Sequence, residues 1–163
     1  MTWAIDAGRV GWQPIELTDT VQRHALGTKV RALDPAYGAG EFVYAKGVAA
    51  TTVGSVVLFD QDDWSTVLAA ANNKGLLGTA MSANVASQFG WYQVFGKGVA
   101  KVLAGFVDNA DCYLTATAGS VDDADVAGDF IVGMKGASAI GTPAAGLAEV
   151  ELFYPRVTDG ADD

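Results

Sequence analysis

A chain of 163 residues, half of them hydrophobic and only 18% charged, is not a disordered polypeptide; it is long enough to bury one core without a disulfide or metal staple. Nineteen acidic residues against ten basic ones leave a formal net charge of −9, which repels phosphate and argues against nucleic-acid binding. The single cysteine, Cys112, excludes an internal disulfide.

Residues 1–27 show neither a helical nor a strand period. They place Trp3, Ile5, Trp12, Ile15 and Leu17 among polar residues, so they read as an extended N-terminal arm. Exposed tryptophans are unfavourable in water and Trp is a favoured interface anchor. The arm therefore either reaches a neighbouring molecule or folds back onto its own domain. Residues 1–31 set Arg9, Arg23, Lys29 and Arg31 against Asp6, Glu16 and Asp19, so the negative charge belongs to the body, whose partners should be neutral or basic. The opening "MTWAIDAGRVGWQP" lacks the pattern of a signal peptide, and no stretch approaches a membrane span, so a soluble protein without a membrane partner is expected.

From residue 28 the chain changes to short runs rich in Val, Phe and Tyr, interrupted by Gly, Asn and Asp, the pattern of an all-β domain extending to residue 157. A compact β-barrel, β-sandwich or tulip-like domain is expected. "EFVYAKGVA" alternates, with Phe42, Tyr44, Lys46 and Val48 on one face and Val43, Ala45, Gly47 and Ala49 on the other. Lys46-Gly47-Val48-Ala49, with Gly54 and Val56, returns 51 positions later as Lys97-Gly98-Val99-Ala100, with Gly105 and Val107. This suggests two related strand–turn–strand units, at about 38–60 and 89–111, each with a Gly/Ala face that lets another backbone approach closely.

Between the units, Asp62 and Asp63 before "WSTVLAAA" would suit a helix start, whereas "NNKG" suits a hairpin joining "STVLAA" to "LLGTAMSA"; the hairpin is the favoured reading for residues 62–71. "DCYLTA", "DFIVGMK" and "AEVELFYPRV" read as further strands, with Cys112 as a buried small hydrophobe in the first. Residues 158–163, "TDGADD", read as a frayed acidic tail.

No chemistry-bearing constellation emerges. The single histidine, His24, has no Cys or Ser nucleophile near it in sequence, which argues against an enzyme. A zinc cage would need several Cys and His ligands. "DQDD" at 60–63 and "DDAD" at 122–125 lack the glycine hinge and distal glutamate of an EF-hand, and read as solvated turns. "GAGEFV" and "GKGVAK" lack the third glycine of a dinucleotide fingerprint. No catalytic residue, metal ligand or cofactor is therefore assigned. "FGWYQVFGKGVAK" interleaves Phe89, Trp91, Tyr92 and Phe95 with Lys97 and Lys101 in the manner of a stacking platform, but the acidic body speaks against nucleic acid.

The succession "YGAGEFVYAKGVAATTVGSVVLFD", "NNKGLLGTAMSANVASQFGWYQVFGKGVA" and "DCYLTATAGSVDDADVAGDFIVG" resembles the head decoration, or cement, proteins of tailed bacteriophages. The resemblance runs from about Leu26 to Tyr154, and its most telling stretch is Phe89-Gly90-Trp91-Tyr92-Gln93-Val94 with Gly96 and Ala100. It implies a β-rich protein made in the host cytoplasm that binds the outer surface of an icosahedral capsid. Its partners would be the major capsid protein and copies of itself, as trimers or other clusters at symmetry axes. It implies no reaction and no cofactor. Family members that attach through an arm make Trp3, Trp12, Ile15 and Leu17 the corresponding contact candidates here, and Trp91 and Tyr92 are further candidates for capsid or subunit contact. Two other readings stand beside this one: another virion subunit, in the tail or the head–tail connector, and a carbohydrate-binding β module presenting Trp91 and Tyr92.

Overall fold

The computed structural model describes residues 2–6 and 11–158. The proposed acidic tail, apart from Thr158, lies outside the described residues. The architecture is all-β, and the described residues contain no helix, so none that could cross a membrane. The strands are β1 (Ala4–Ile5), β2 (Lys29–Asp34), β3 (Gly38–Lys46), β4 (Val56–Asp60), β5 (Ser65–Leu68), β6 (Gly75–Ala80), β7 (Phe89–Lys101), β8 (Asp111–Leu114), β9 (Val121–Asp122), β10 (Phe130–Gly136) and β11 (Leu147–Val157). All pair antiparallel in one sheet of order β1-β2-β3-β7-β6-β11-β10-β8-β9, with β4 on the other edge of β6 and β5 on β4. The sheet does not close into a barrel; it curls over its own core in a sandwich-like manner.

The curl centres on β7. Residues 89–95 pair with β3, and residues 95–101 pair with β11. At the changeover Gly96 adopts φ +95°, and a Cβ there would overlap the Ala39 carbonyl oxygen. Only glycine turns the strand here without strain. Two residues on, a Cβ at Gly98 would overlap the Gln93 side chain, whose Nε2 bonds the carbonyls of Phe95 (3.0 Å) and Lys97 (2.9 Å).

Close approach at these glycines accords with the Gly/Ala face seen in the sequence, but the two equal units do not form. Lys97, Gly98, Val99 and Ala100 lie within β7, whereas Gly47, Val48 and Ala49 have already left the sheet at the end of β3. Gly54 and Gly105 do share positive φ, 82° and 101°. Thereafter Val56 opens β4 and is buried, whereas Val107 is exposed ahead of β8. Turn chemistry is what the two segments have in common.

Residues 65–68 are strand, and the expected partner is corrected. β5 pairs with β4 across the turn at residues 61–64, and β6 takes the opposite edge of β4. The "NNKG" turn exists, with Asn72 at φ +68° and Asn73 accepting a bond from the Ala70 amide at 2.9 Å, but it carries the chain past β4 instead of closing a hairpin.

Three apolar clusters fill the fold. The largest lies between β4 and β6 on one side and β8, β10 and β11 on the other, and it contains Cys112, Ile131, Val150 and Leu152. The other two occupy opposite faces of the β3–β7 pair: Phe42, Tyr44 and Trp91 point into one, Val43, Ala45, Tyr92 and Val94 into the other. A wall wetted on neither side carries apolar residues at both parities.

The N-terminal segment covers the first of these faces. Gln13, 6% exposed, ties it down: its backbone carbonyl accepts from Trp91 Nε1 (2.9 Å), and its side chain accepts from the Tyr44 hydroxyl (2.8 Å). Its Nε2 donates to the carbonyls of Leu17 (2.9 Å) and Phe89 (3.0 Å). An antiparallel bridge between Asp19 and Phe89 adds a further tie. Of the two placements open to the segment, the structure adopts the one against its own domain.

Candidate functional site

That placement decides most of the contact candidates. Trp3 and Ile15 lie inside the chain's own core, as do Trp91 and Tyr92, all four at 5% exposure or less. They are core residues and not a contact surface. The Tyr92 hydroxyl accepts from Asn84 Nδ2 at 2.9 Å, which satisfies it in the interior, so the proposed sugar-binding platform is not on the surface. Trp12 is half-buried and Leu17 is 56% exposed. These two come together in a shallow depression of about 270 Å³ closed by the Asp19–Arg23 ion pair at 2.7 Å. The Val21 amide and then the Arg23 guanidinium hold the Asp19 carboxyl below its usual range.

His24 is a structural group. Its ring packs against Trp12, Tyr44 and Trp91 at centroid distances of 4.9, 5.0 and 5.5 Å. Nε2 accepts from the Gln13 amide at 3.0 Å, which requires that nitrogen to be unprotonated. Burial lowers the pKa accordingly. Among the described residues no group of three or more His, Cys, Asp or Glu side chains gathers as a metal site. Burial raises the Cys112 thiol to about 12, as a packed small hydrophobe requires.

The most distinctive surface lies on the outer face of β8, β10, β11 and β7. Along β11, Ala148, Val150 and Leu152 point inward, while Glu149, Glu151 and Phe153 share the outer parity. Phe153 is 65% exposed and Phe130, on β10, 40%. Each has an aromatic companion: Phe95 is 5.8 Å from Phe153, and Tyr113 is 5.5 Å from Phe130, centroid to centroid. Between the pairs lies a groove of about 450 Å³ whose lining includes Ile131, Met134 and Leu152.

Two backbone features build this face. The β10–β11 register shifts between Val132 and Met134, around Gly133 at φ +83°, where a Cβ would overlap the Phe153 carbonyl oxygen. Opposite this bulge, Tyr154 adopts φ +48°, a left-handed conformation costly for a residue with a Cβ. The ring is held by Lys29, whose Nζ sits 4.4 Å above it, and by a hydrogen bond from its hydroxyl to Glu41. Lys29 also pairs with Glu41 at 3.0 Å. Bulges re-aim side chains, and this one lies directly against the backbone that carries Phe153.

Sequence reasoning assigned "AEVELFYPRV" to a strand but did not select Phe153, although a signal was present: Phe153 shares its parity with Glu149 and Glu151. A phenylalanine on the charged side of an alternating strand is a surface ring. In comparisons with known proteins, no protein-family model and no curated protein matches the chain.

The charges around the groove are uneven. Lys97 is engaged by Glu149 at 2.7 Å, and with the Tyr37 hydroxyl it holds that carboxyl below the usual range. At the Phe130 end, Asp111 is opposite Lys135 in the ladder, Asp122 is opposite Tyr113, and Asp125 lies close enough to act on the Tyr113 hydroxyl. Both ends thus carry an aromatic pair, and the aspartates gather at the Tyr113–Phe130 end. Such a face suits adhesion: it offers desolvation energy and a charge pattern.

Proposed function

We propose that the protein is a viral structural protein that binds the outer surface of a tailed-phage icosahedral capsid and stabilises it, as decoration proteins do. The observation that carries the reading is the exposed aromatic face, of the type that marks an interaction surface. Three features support it. The stretch most similar to decoration proteins forms the central strand β7, and Phe95 of that strand belongs to the face. A net charge of −9 favours solubility at high copy number and disfavours the genome as a ligand. Modest contacts repeated over many copies gain strength through effective concentration.

In this reading the partners are the major capsid protein and neighbouring copies, clustered at symmetry axes, and the protein resides on the virion exterior. The test is direct. Purified protein is mixed with emptied heads that lack it, and co-sedimentation is measured beside the shell's melting temperature. Binding with a raised shell melting temperature is expected. Phe153→Ser should weaken it at least about tenfold while leaving the protein's own melting temperature unchanged. Absence of binding to any such shell under gentle conditions refutes the reading, and a low copy number per particle would assign the protein to a connector or tail ring instead.

A further inference from the structure

We infer that the groove between the Phe95–Phe153 and Tyr113–Phe130 pairs is the docking site for a short protein segment carrying an apolar anchor beside a basic residue. It rests on the decoration reading only in taking the partner to be a protein. The occupant follows from how the groove is divided. At one end Phe153 and Phe95 present ring surface, over a floor whose Ile131, Met134 and Leu152 side chains are turned into the core. An aliphatic or aromatic side chain removes that surface from water, worth roughly 25 cal/mol per Å² of apolar area covered. At the other end Asp111 lines the groove with Phe130, Asp122 and Asp125 lie beside Tyr113, and Glu151 faces Lys135 between the two ends, so the acidic groups outnumber the one lysine of the lining. That end attracts a positive side chain, and an arginine can also stack on the Tyr113 or Phe130 ring.

A second copy of this chain fits the groove less well, because each copy brings its own net charge of −9 towards the other. The face is also built at a cost. Tyr154 occupies left-handed backbone next to Phe153, opposite the Gly133 bulge, and Lys29 and Glu41 hold its side chain. Strained residues persist where surrounding structure fixes them, and they cluster at binding sites.

The experiment titrates the full-length protein, isotopically labelled, with two synthetic peptides that share a Leu-Phe-Leu centre, one flanked by arginines and one by glutamates, following backbone amide shifts. The arginine peptide should bind at least about tenfold more tightly than the glutamate peptide. Its shifts should be confined to 95–97, 111–114, 122–125, 130–135 and 151–154, and its affinity should fall as salt rises. Phe153→Ser should reduce that affinity about tenfold, and Asp111→Asn combined with Asp125→Asn should abolish the preference for arginine. Equal affinity for the two peptides, shifts elsewhere, or no binding overturns the inference. Self-association by sedimentation equilibrium that disappears in Phe153→Ser would assign the groove to a second copy and overturn it as well. Shell binding that survives Phe153→Ser would reject this groove while leaving the decoration reading in place.

Discussion

Single residues decide whether the N-terminal segment stays on the sheet, and His24 is the most conditional of them. Its Nε2 accepts the Gln13 amide proton at 3.0 Å, and three aromatic rings surround it, so the folded state favours the neutral imidazole. Because burial lowers the pKa below the ordinary histidine value of 6.5, the unfolded chain takes up a proton before the folded one. The stabilisation is complete above that value and declines as pH falls through and below it. Thermal unfolding between about pH 7.5 and about pH 5.5 should therefore show a falling melting temperature, and His24→Gln, which keeps a neutral acceptor, should flatten the slope. A slope of equal steepness in the variant would place the effect on other groups. The sequence marked His24 as non-catalytic but gave no hint of this role, since the acceptor geometry comes from a loop contact without a repeat or motif. Gln13 was invisible for the same reason: a buried glutamine is recognised only once its partners Tyr44, Trp91, Leu17 and Phe89 surround it.

At the scale of elements, strand existence was legible and strand partnership was not. Alternation and turn residues located β3, β4, β7, β8, β10 and β11, because those signals are local. Which edge β5 would choose depended on β4 offering an edge on each side, a non-local competition that "NNKG" could not report. The 51-residue echo was legible as glycine spacing, yet one copy sits inside a strand and the other beyond the end of one, because the same Gly/Ala residues serve close approach in either setting. The β10 bulge is the element on which the outer face depends. Gly133→Ala forces a Cβ against the Phe153 carbonyl at φ +83°, so a loss of about 2 kcal/mol or more in urea unfolding is expected. Amide shifts at Phe153 and Tyr154 should move with it. A neutral substitution would show that the ladder relaxes freely there.

For the whole molecule, the boundary placed at residue 27 does not separate an appendage from a body. Trp3 and Ile15 belong to the cluster built on β2, β3 and β7, and burial of each contributes about 1.5–3 kcal/mol. Deleting residues 2–27 should therefore abolish the cooperative unfolding transition and expose Trp91, read as a red-shifted tryptophan emission; a truncated chain that melts as sharply as the full one would restore the appendage view. The all-β class was legible from alternation and the acidic charge from composition. The position of the exposed aromatic face was not, because the eye is drawn to "FGWYQVF", whose rings at 91 and 92 face inward on opposite sides of one strand. That double-sided strand pair has an evolutionary consequence. Phe42, Tyr44 and Trp91 share a backbone with Val43, Ala45 and Tyr92, so a bulkier group on one side displaces the partition towards the other. Tolerated changes in these two compartments should come as matched pairs through the partition, enlargement on one side accompanied by reduction on the other.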